Sequence, residues 1–293
     1  MGYTDDTLKL VDKIVERAGI ETRHTCVTAG GPTTAGAFVS RIKAGGRARA
    51  EVWEAAAPAM AVRAAREALA AWRDGSAADV THVVVHSCTG FSAPGVDFAL
   101  ITQLGLPLTT RKIPVHFAGC FGGFTTMYVA KQVVEADPTG RAVVLVACVE
   151  ACTAHMGVDP RPELVVGNTV FADGAGAAII TAAGFVGRRG GAAAAPLSAE
   201  AAAAAAAVPC SGKGVALGGD GWGWGLGAMS SQILPNSGDD MTWKNSAEPG
   251  RYDMWLSRDI PRTLSSTFVS SGFGMLRRVG ISNPFTCGWA IHP

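Results

Sequence analysis

The chain has 293 residues and a mass of 30.0 kDa, enough for one large domain or two ordinary ones. Hydrophobic residues make up 48% and charged residues 17%, which excludes a disordered chain because there is enough apolar surface to offset chain entropy. Lys and Arg number 25 against 24 Asp and Glu, so no global positive field draws the chain to nucleic acid or to an anionic membrane.

The first residues, MGYTDDTLKL, are polar and acidic and lack the apolar core of a signal peptide, so a cytoplasmic location is expected. From Tyr3 to Ala18 the residues Leu8, Leu10, Val11, Ile14 and Val15 recur at helical spacing, and Gly19 ends the run. Glu51–Trp72 reads as an Ala-rich helix anchored by Met60, Val62, Ala65, Leu69 and Trp72, and Val80–Val85 as a β-branched buried strand. The alternation continues with a helix at Asp97–Leu104, a strand at Lys112–Phe117 and a helix at Phe121–Ala136. After a Pro-Thr-Gly turn at 138–140 comes a strand at Arg141–Cys148. Asp173-Gly174-Ala175-Gly176 lacks the third glycine of a dinucleotide fingerprint and reads as a tight turn before a strand at Gly176–Thr181. The most apolar stretches, Ala142–Val149 and Gly174–Val186, fall short of the roughly 20 strongly apolar residues of a spanning helix.

Alanine and glycine dominate Gly184–Val208, including seven consecutive alanines at 201–207, and with few bulky apolar residues the segment reads as a mobile surface insertion. The glycines from Gly218 to Gly227, interleaved with Trp222 and Trp224, suit a turn-rich hairpin as readily as a ligand loop, with no residue that carries phosphate chemistry. A helical pattern then runs through Ile260–Phe273 to Leu276, and Thr286–Ile291 is a last short strand. The organisation expected is an N-terminal half at 1–183, an insertion at 184–208 and the start of a second half at 209–293. Alternating helices and buried strands imply a layered α/β fold, and the stop two residues after a buried strand suggests a C-terminal fragment.

The seven cysteines, at 26, 88, 120, 148, 152, 210 and 287, are odd in number and widely spaced, as expected of reduced thiols. Cys120 stands out. In Val115-His116-Phe117-Ala118-Gly119-Cys120-Phe121-Gly122-Gly123 a strand turns sharply into a helix with the thiol at the corner. Unpaired backbone N–H groups and the positive end of the helix dipole would lower its pKa and supply thiolate. A buried structural cysteine is the competing reading. An imidazole partner could come from any of six histidines, at 24, 82, 86, 116, 155 and 292, and spacing does not choose among them. Cys148, Cys152 and His155 match no common zinc spacing, so no metal is expected.

Taken in order, several segments resemble the chalcone-synthase-like type III polyketide synthases of the thiolase superfamily. They are RARAEV at 47–52, VVVHSCTGFSAPGVD at 83–97, GCFGG at 119–123, LVACVE at 145–150, VGNTVFADGAGAA at 166–178, ILPNS at 233–237 and VGISNPFTCGWAIHP at 279–293. The resemblance implies a thiolase-like layered αβαβα fold with an incomplete C-terminal half, a homodimer, and decarboxylative condensation of malonyl-CoA onto an acyl-CoA starter, with no cofactor beyond CoA thioesters. It makes Cys120 the acyl-accepting nucleophile and His292, in Trp-x-x-His-Pro, its imidazole partner. It makes Phe171 the gatekeeper between the CoA tunnel and the cavity, and Gly167 a point of close substrate approach. Cys88, Thr89, Ala93, Cys152 and His155 fall on cavity positions, with Ala93, Cys152 and His155 departing from the plant pattern in a way that suits a starter other than coumaroyl. Lys13 and Arg17 fall on residues that meet CoA phosphates, and Leu10 replaces a third.

The family's third catalytic residue, an asparagine, would lie beyond Pro293, and its first strand before Met1. A partial protein, impaired in condensation more than in acylation, is therefore expected. The rival readings are a ketoacyl-carrier-protein synthase III, a Cys-dependent α/β hydrolase, for which Ala118 occupies the first glycine position of the elbow motif, and a non-catalytic subunit.

Overall fold

Helix α1, Asp5–Ala18, opens the part of the chain that a computed structural model describes: residues 4–27, 45–157, 159–187, 215–217, 224–227, 229–247, 251–278, 280 and 283. Thr4 caps α1 by accepting the Thr7 N–H at 3.3 Å, Asp5 and Asp6 sit in the first turn, and Gly19 closes the helix with a left-handed φ of 63°. Helix α2 spans Gly46–Ala71, α3 Val96–Leu104, α4 Gly122–Ala136, α5 Pro162–Val170 and α6 Ile260–Arg278. The strands are β1 His82–Ser87, β2 Arg111–His116, β3 Val143–Ala151, β4 Asp173–Ala182, β5 Val215–Leu217, β6 Trp224–Leu226, β7 Met241–Asn245 and β8 Tyr252–Leu256.

Six strands form one sheet in the order β2-β1-β3-β4-β5-β6, and β7 pairs with β8 in a separate ribbon. β2, β1 and β3 run parallel, whereas β3/β4, β4/β5 and β5/β6 are antiparallel. The parallel part must be covered on both faces. On one face Val83, Val85, Leu145, Ala147 and Val149 meet Trp53, Ala57, Ala61 and Ala65 of α2, whose small side chains let the helix lie close to the sheet. On the other, Val84, Val144, Val146 and Ile180 meet Ala130 and Val134 of α4. This is the helix–sheet–helix layering that alternating elements predict.

Gly90 shows how tightly α2 meets the loop after β1. A Cβ there would stand 2.4 Å from Cδ2 of Trp53, whose indole is 2% exposed and donates from Nε1 to Ser87 Oγ at 3.3 Å. Only a residue without a side chain fits.

Three readings change. Asp173–Gly176 is not a turn: these residues begin β4, with Asp173 opposite Ala151 and Gly174 opposite Glu150, because small residues pair with β3 without needing side-chain room. The strand at 141–148 starts later and runs on to Ala151. Helix α5 and the β7–β8 ribbon were not anticipated. β5 and β6 pair antiparallel on either side of the glycine-rich segment, whose residues 218–223 lie outside the described residues. Residues 188–208 of the Ala/Gly segment, His292 and the strand expected at 286–291 lie outside the described residues. No helix among the described residues is long and apolar enough to cross a membrane.

Candidate active site

The strand–turn–helix corner forms between β2 and α4. Phe117 takes a left-handed φ of 53° and donates its N–H to Ser87 O at 3.1 Å, so the chain leaves the sheet beside the end of β1. Gly119 has φ 80°, a backbone conformation suited to glycine, and its carbonyl accepts the Gly122 N–H at 2.8 Å. Cys120 is exposed on this corner, immediately before α4. Its thiol pKa is raised rather than lowered: desolvation by the surrounding protein is the largest cause and the Glu150 carboxylate adds to it, against a smaller lowering by a backbone hydrogen bond. The helix N-terminus therefore does not prevail here, and a nearby cation would be needed to supply thiolate.

Period-two alternation places Val84 and His86 of β1 on one face with Val144, Val146, Cys148 and Glu150 of β3. The apolar half of that face packs under α4, and the polar half ends beneath the corner. Glu150 accepts from the Cys88 N–H at 2.9 and 3.1 Å and from Thr89 Oγ1 at 2.7 Å, and its Oε1 lies 3.5 Å from His86 Nε2. Burial raises the carboxyl pKa, opposed by the Thr89 hydroxyl, the Cys88 N–H and His86. Cys88 Sγ accepts the Gly119 N–H at 3.2 Å and lies 3.5 Å from His86 Nε2. Sequence reasoning passed over Glu150 and left His86 as one of six candidate imidazoles. The signal that could have found them is the face shared by Val84, His86, Cys148 and Glu150 once the strands are paired.

Two of the expected pocket residues, Cys88 and Cys152, come within electrostatic reach of Cys120. Burial first, and Glu150 second, push Cys88 up to about 11 and Cys152 to about 12. The Thr89 hydroxyl is fully engaged, donating to Glu150 and accepting the Ala151 N–H at 2.9 Å. Ala93 is exposed. Phe171 and Gly167 lie at the end of α5, where the Phe171 N–H donates to Gly167 O at 3.0 Å, and a Cβ on Gly167 would meet Phe171 Cδ2 at an ordinary 3.8 Å. Lys13 and Arg17 are exposed one turn apart on α1. A pocket of about 390 Å³ opens elsewhere, between α5 and the ribbon, lined by Arg161, Leu164, Thr242, Lys244, Asp253 and Trp255.

Cys148, Cys152 and His155 do not converge as metal ligands. Cys148 Sγ meets Thr126 Oγ1 at 3.5 Å, and His155 is held by backbone. Its Nε2–H donates to Thr89 O at 2.6 Å, and its Nδ1 accepts the Tyr252 N–H at 3.4 Å under the Trp243 and Tyr252 rings. Trp243 Nε1 also donates to Cys88 O at 2.9 Å, so the ribbon clasps the loop after β1. Burial, with the Arg49 and Arg251 charges behind it, lowers the His155 pKa to about 4, against a smaller opposing effect of the Thr89 carbonyl.

An unfolded histidine takes up its proton near its ordinary pKa, whereas folded His155 refuses it until about pH 4. The unfolded state thus binds more protons in that window, and stability falls as pH drops from about 6.5 to about 4, then levels off. The expected loss attributable to His155 is about 3 kcal/mol. Urea unfolding at neutral pH and near pH 4.5 should show a smaller loss in His155→Gln than in the wild type; equal losses would remove this account.

Residues 3–184 match the family described as chalcone and stilbene synthases, N-terminal domain. The chain belongs to this family. Type III polyketide synthase 21 of Oryza sativa subsp. japonica is 30% identical over 249 residues, covering 84% of this chain and 54% of the relative. Bisdemethoxycurcumin synthase of the same plant is 35% identical over 185 residues, covering 61% of this chain and 45% of the relative. The chain thus spans about half the length of these curated relatives. Among solved structures, the C-terminal type III polyketide synthase domain of Steely1 from Dictyostelium superposes with a TM-score of 0.71 at 23% identity, covering 95% of this chain and 66% of that one. The layered α/β fold is therefore the thiolase-like fold of type III polyketide synthases.

Proposed function

We propose that the chain carries the acyl-accepting site of a type III polyketide synthase. The exposed thiol at the β2–α4 corner, in a chain of this family, is the observation that carries the reading. Cys120 gives its proton to the His292 imidazole, and the thiolate attacks the carbonyl of an acyl-CoA starter, expelling CoA thiolate, which takes a proton from solvent. Malonyl-CoA then loses CO2, its enolate attacks the Cys120 thioester carbonyl, and Cys120 leaves as thiolate. The imidazolium offsets what burial and Glu150 do to the thiol, and its N–H polarises the carbonyl on which enolate charge develops. Phe171 and Gly167 border the substrate path, Cys88, Thr89, Ala93, Cys152 and His155 shape the cavity, and Lys13 and Arg17 meet CoA phosphates. The working form is a cytoplasmic homodimer, and the small Ala93 favours an aliphatic starter.

The test is to incubate the protein with aliphatic and aromatic acyl-CoA esters plus malonyl-CoA, and to read intact mass and released products. A thioester adduct followed by malonyl-CoA-dependent chain extension with release of CO2 supports the proposal. Release of free acid without malonyl-CoA consumption would replace it with a hydrolase.

A further inference from the structure

His86, Cys88 and Glu150 meet beneath the corner in a way that the acyl-transfer reading does not use. We propose that these three side chains form a binding site for a divalent cation of the zinc class. Their donor atoms, one imidazole nitrogen, one sulfur and one carboxylate oxygen, all lie within 4.8 Å of one another. His86 Nε2 is 3.5 Å from Cys88 Sγ and 3.5 Å from Glu150 Oε1. Around tetrahedral zinc, with Zn–N about 2.0–2.1 Å and Zn–S about 2.3 Å, the distance between neighbouring donors is about 3.3–3.6 Å. Both distances from His86 Nε2 have that spacing, and Cys88 Sγ and the Glu150 carboxylate lie within 4.8 Å of each other, within reach of one ion by side-chain adjustment.

Each donor is also held by a second group, as metal ligands generally are. His86 Nδ1 donates to Val115 O at 2.8 Å, which fixes the tautomer that turns the Nε2 lone pair toward Cys88 and Glu150. Cys88 Sγ accepts the Gly119 N–H, and Glu150 accepts from Thr89 Oγ1 and the Cys88 N–H. The imidazole is 3% exposed and has no room to swing away: a Cβ on Gly122 would stand 2.1 Å from its Cε1. Charge points the same way. Among the described residues no Lys or Arg pairs with Glu150, so a dication that displaces the Cys88 proton meets a thiolate and a carboxylate with no competing side-chain cation. A nitrogen–sulfur–oxygen donor set suits zinc or cobalt and not magnesium or calcium, which take oxygen ligands.

Three protein ligands leave one coordination position open. Because Cys88 Sγ also receives the N–H of the residue before Cys120, loading the site fixes the loop that carries the nucleophile. The proposal rests on these side chains alone and stands or falls separately from acyl transfer.

The probe is Co2+, added to the reduced, chelator-stripped full chain and then displaced with Zn2+. One equivalent should bind, with visible bands of tetrahedral intensity and a thiolate-to-cobalt charge-transfer band in the near ultraviolet. Cys88→Ser should abolish that charge-transfer band with unchanged circular dichroism, and His86→Gln should weaken binding about 100-fold or more, whereas Cys120→Ala should keep both stoichiometry and band. Zn2+ should also protect Cys88 of the wild-type chain from alkylation, read by peptide mass, which needs no variant to fold. No binding by the wild type, a band that survives Cys88→Ser, or one that vanishes with Cys120→Ala would overturn the site.

Discussion

Replacing Cys120 with alanine is expected to reduce acyl transfer from acyl-CoA to the chain about a thousandfold or more, leaving the fold intact. The size of the effect follows from where the other thiols sit. Cys26, Cys88, Cys148 and Cys152 are all partly buried, and only Cys120 of the described cysteines is exposed. Cys26 is additionally pushed up to about 12, by burial first and then by Asp173, so its thiolate is scarce at neutral pH. Among the described cysteines an acyl-CoA arriving from solvent therefore meets one available sulfur, at a corner where backbone N–H groups of α4 lie nearby. Alanine at 120 adds no bulk at an exposed position, so circular dichroism and urea midpoint should match the wild type. The measurement is intact mass after exposure to an acyl-CoA alone. A persistent adduct of wild-type yield in Cys120→Ala would move the nucleophile elsewhere. Loss of the adduct together with unchanged product formation would show that no covalent intermediate is involved.

The parts of the fold that were legible in the sequence are those where side-chain period and burial agree. The Val83–Val85 centre of β1 and the run at Val143–Ala151 are buried on both faces and apolar almost throughout, so they read as strands without a partner. The Ala-rich α2 read as a helix through propensity and length. The ribbon did not read, because Met241–Asn245 and Tyr252–Leu256 are half-exposed and mix charge with aromatics, and their order comes from pairing with each other and clasping the Cys88 loop. Asp173 read as a turn because a Gly-Ala-Gly sequence carries no strand signal of its own, and β3 supplies the register. The site divides in the same way. Cys120 is visible because a sharp turn has local chemistry, whereas the surroundings of Glu150 depend on which strand lies beside it, and no local spacing encodes that.

Asp173→Ala is expected to cost about 3–5 kcal/mol of stability, the largest such effect among the described residues outside the apolar core. The carboxylate is 6% exposed and accepts three hydrogen bonds: from the Cys26 N–H at 2.7 Å, from the Thr153 N–H at 2.7 Å and from the Thr153 hydroxyl. Its own N–H donates to His24 O at 2.9 Å. One residue thus ties the segment after α1 to the turn that follows β3 and to the first position of β4. Alanine removes the acceptor and strands these donors in an interior that water does not reach, so the cost is the desolvation of each group as well as the lost bonds. Asparagine tests the account more finely. It keeps one acceptor oxygen but turns an NH2 toward converging donors, so Asp173→Asn should lose more than half of what alanine loses despite its matching shape. Urea unfolding is the measurement, with an expected fall in midpoint of about 1 M or more and an unchanged slope. A loss below about 1 kcal/mol in Asp173→Ala would mean that water or backbone movement satisfies these donors, and that the segment after α1 is held by its other contacts.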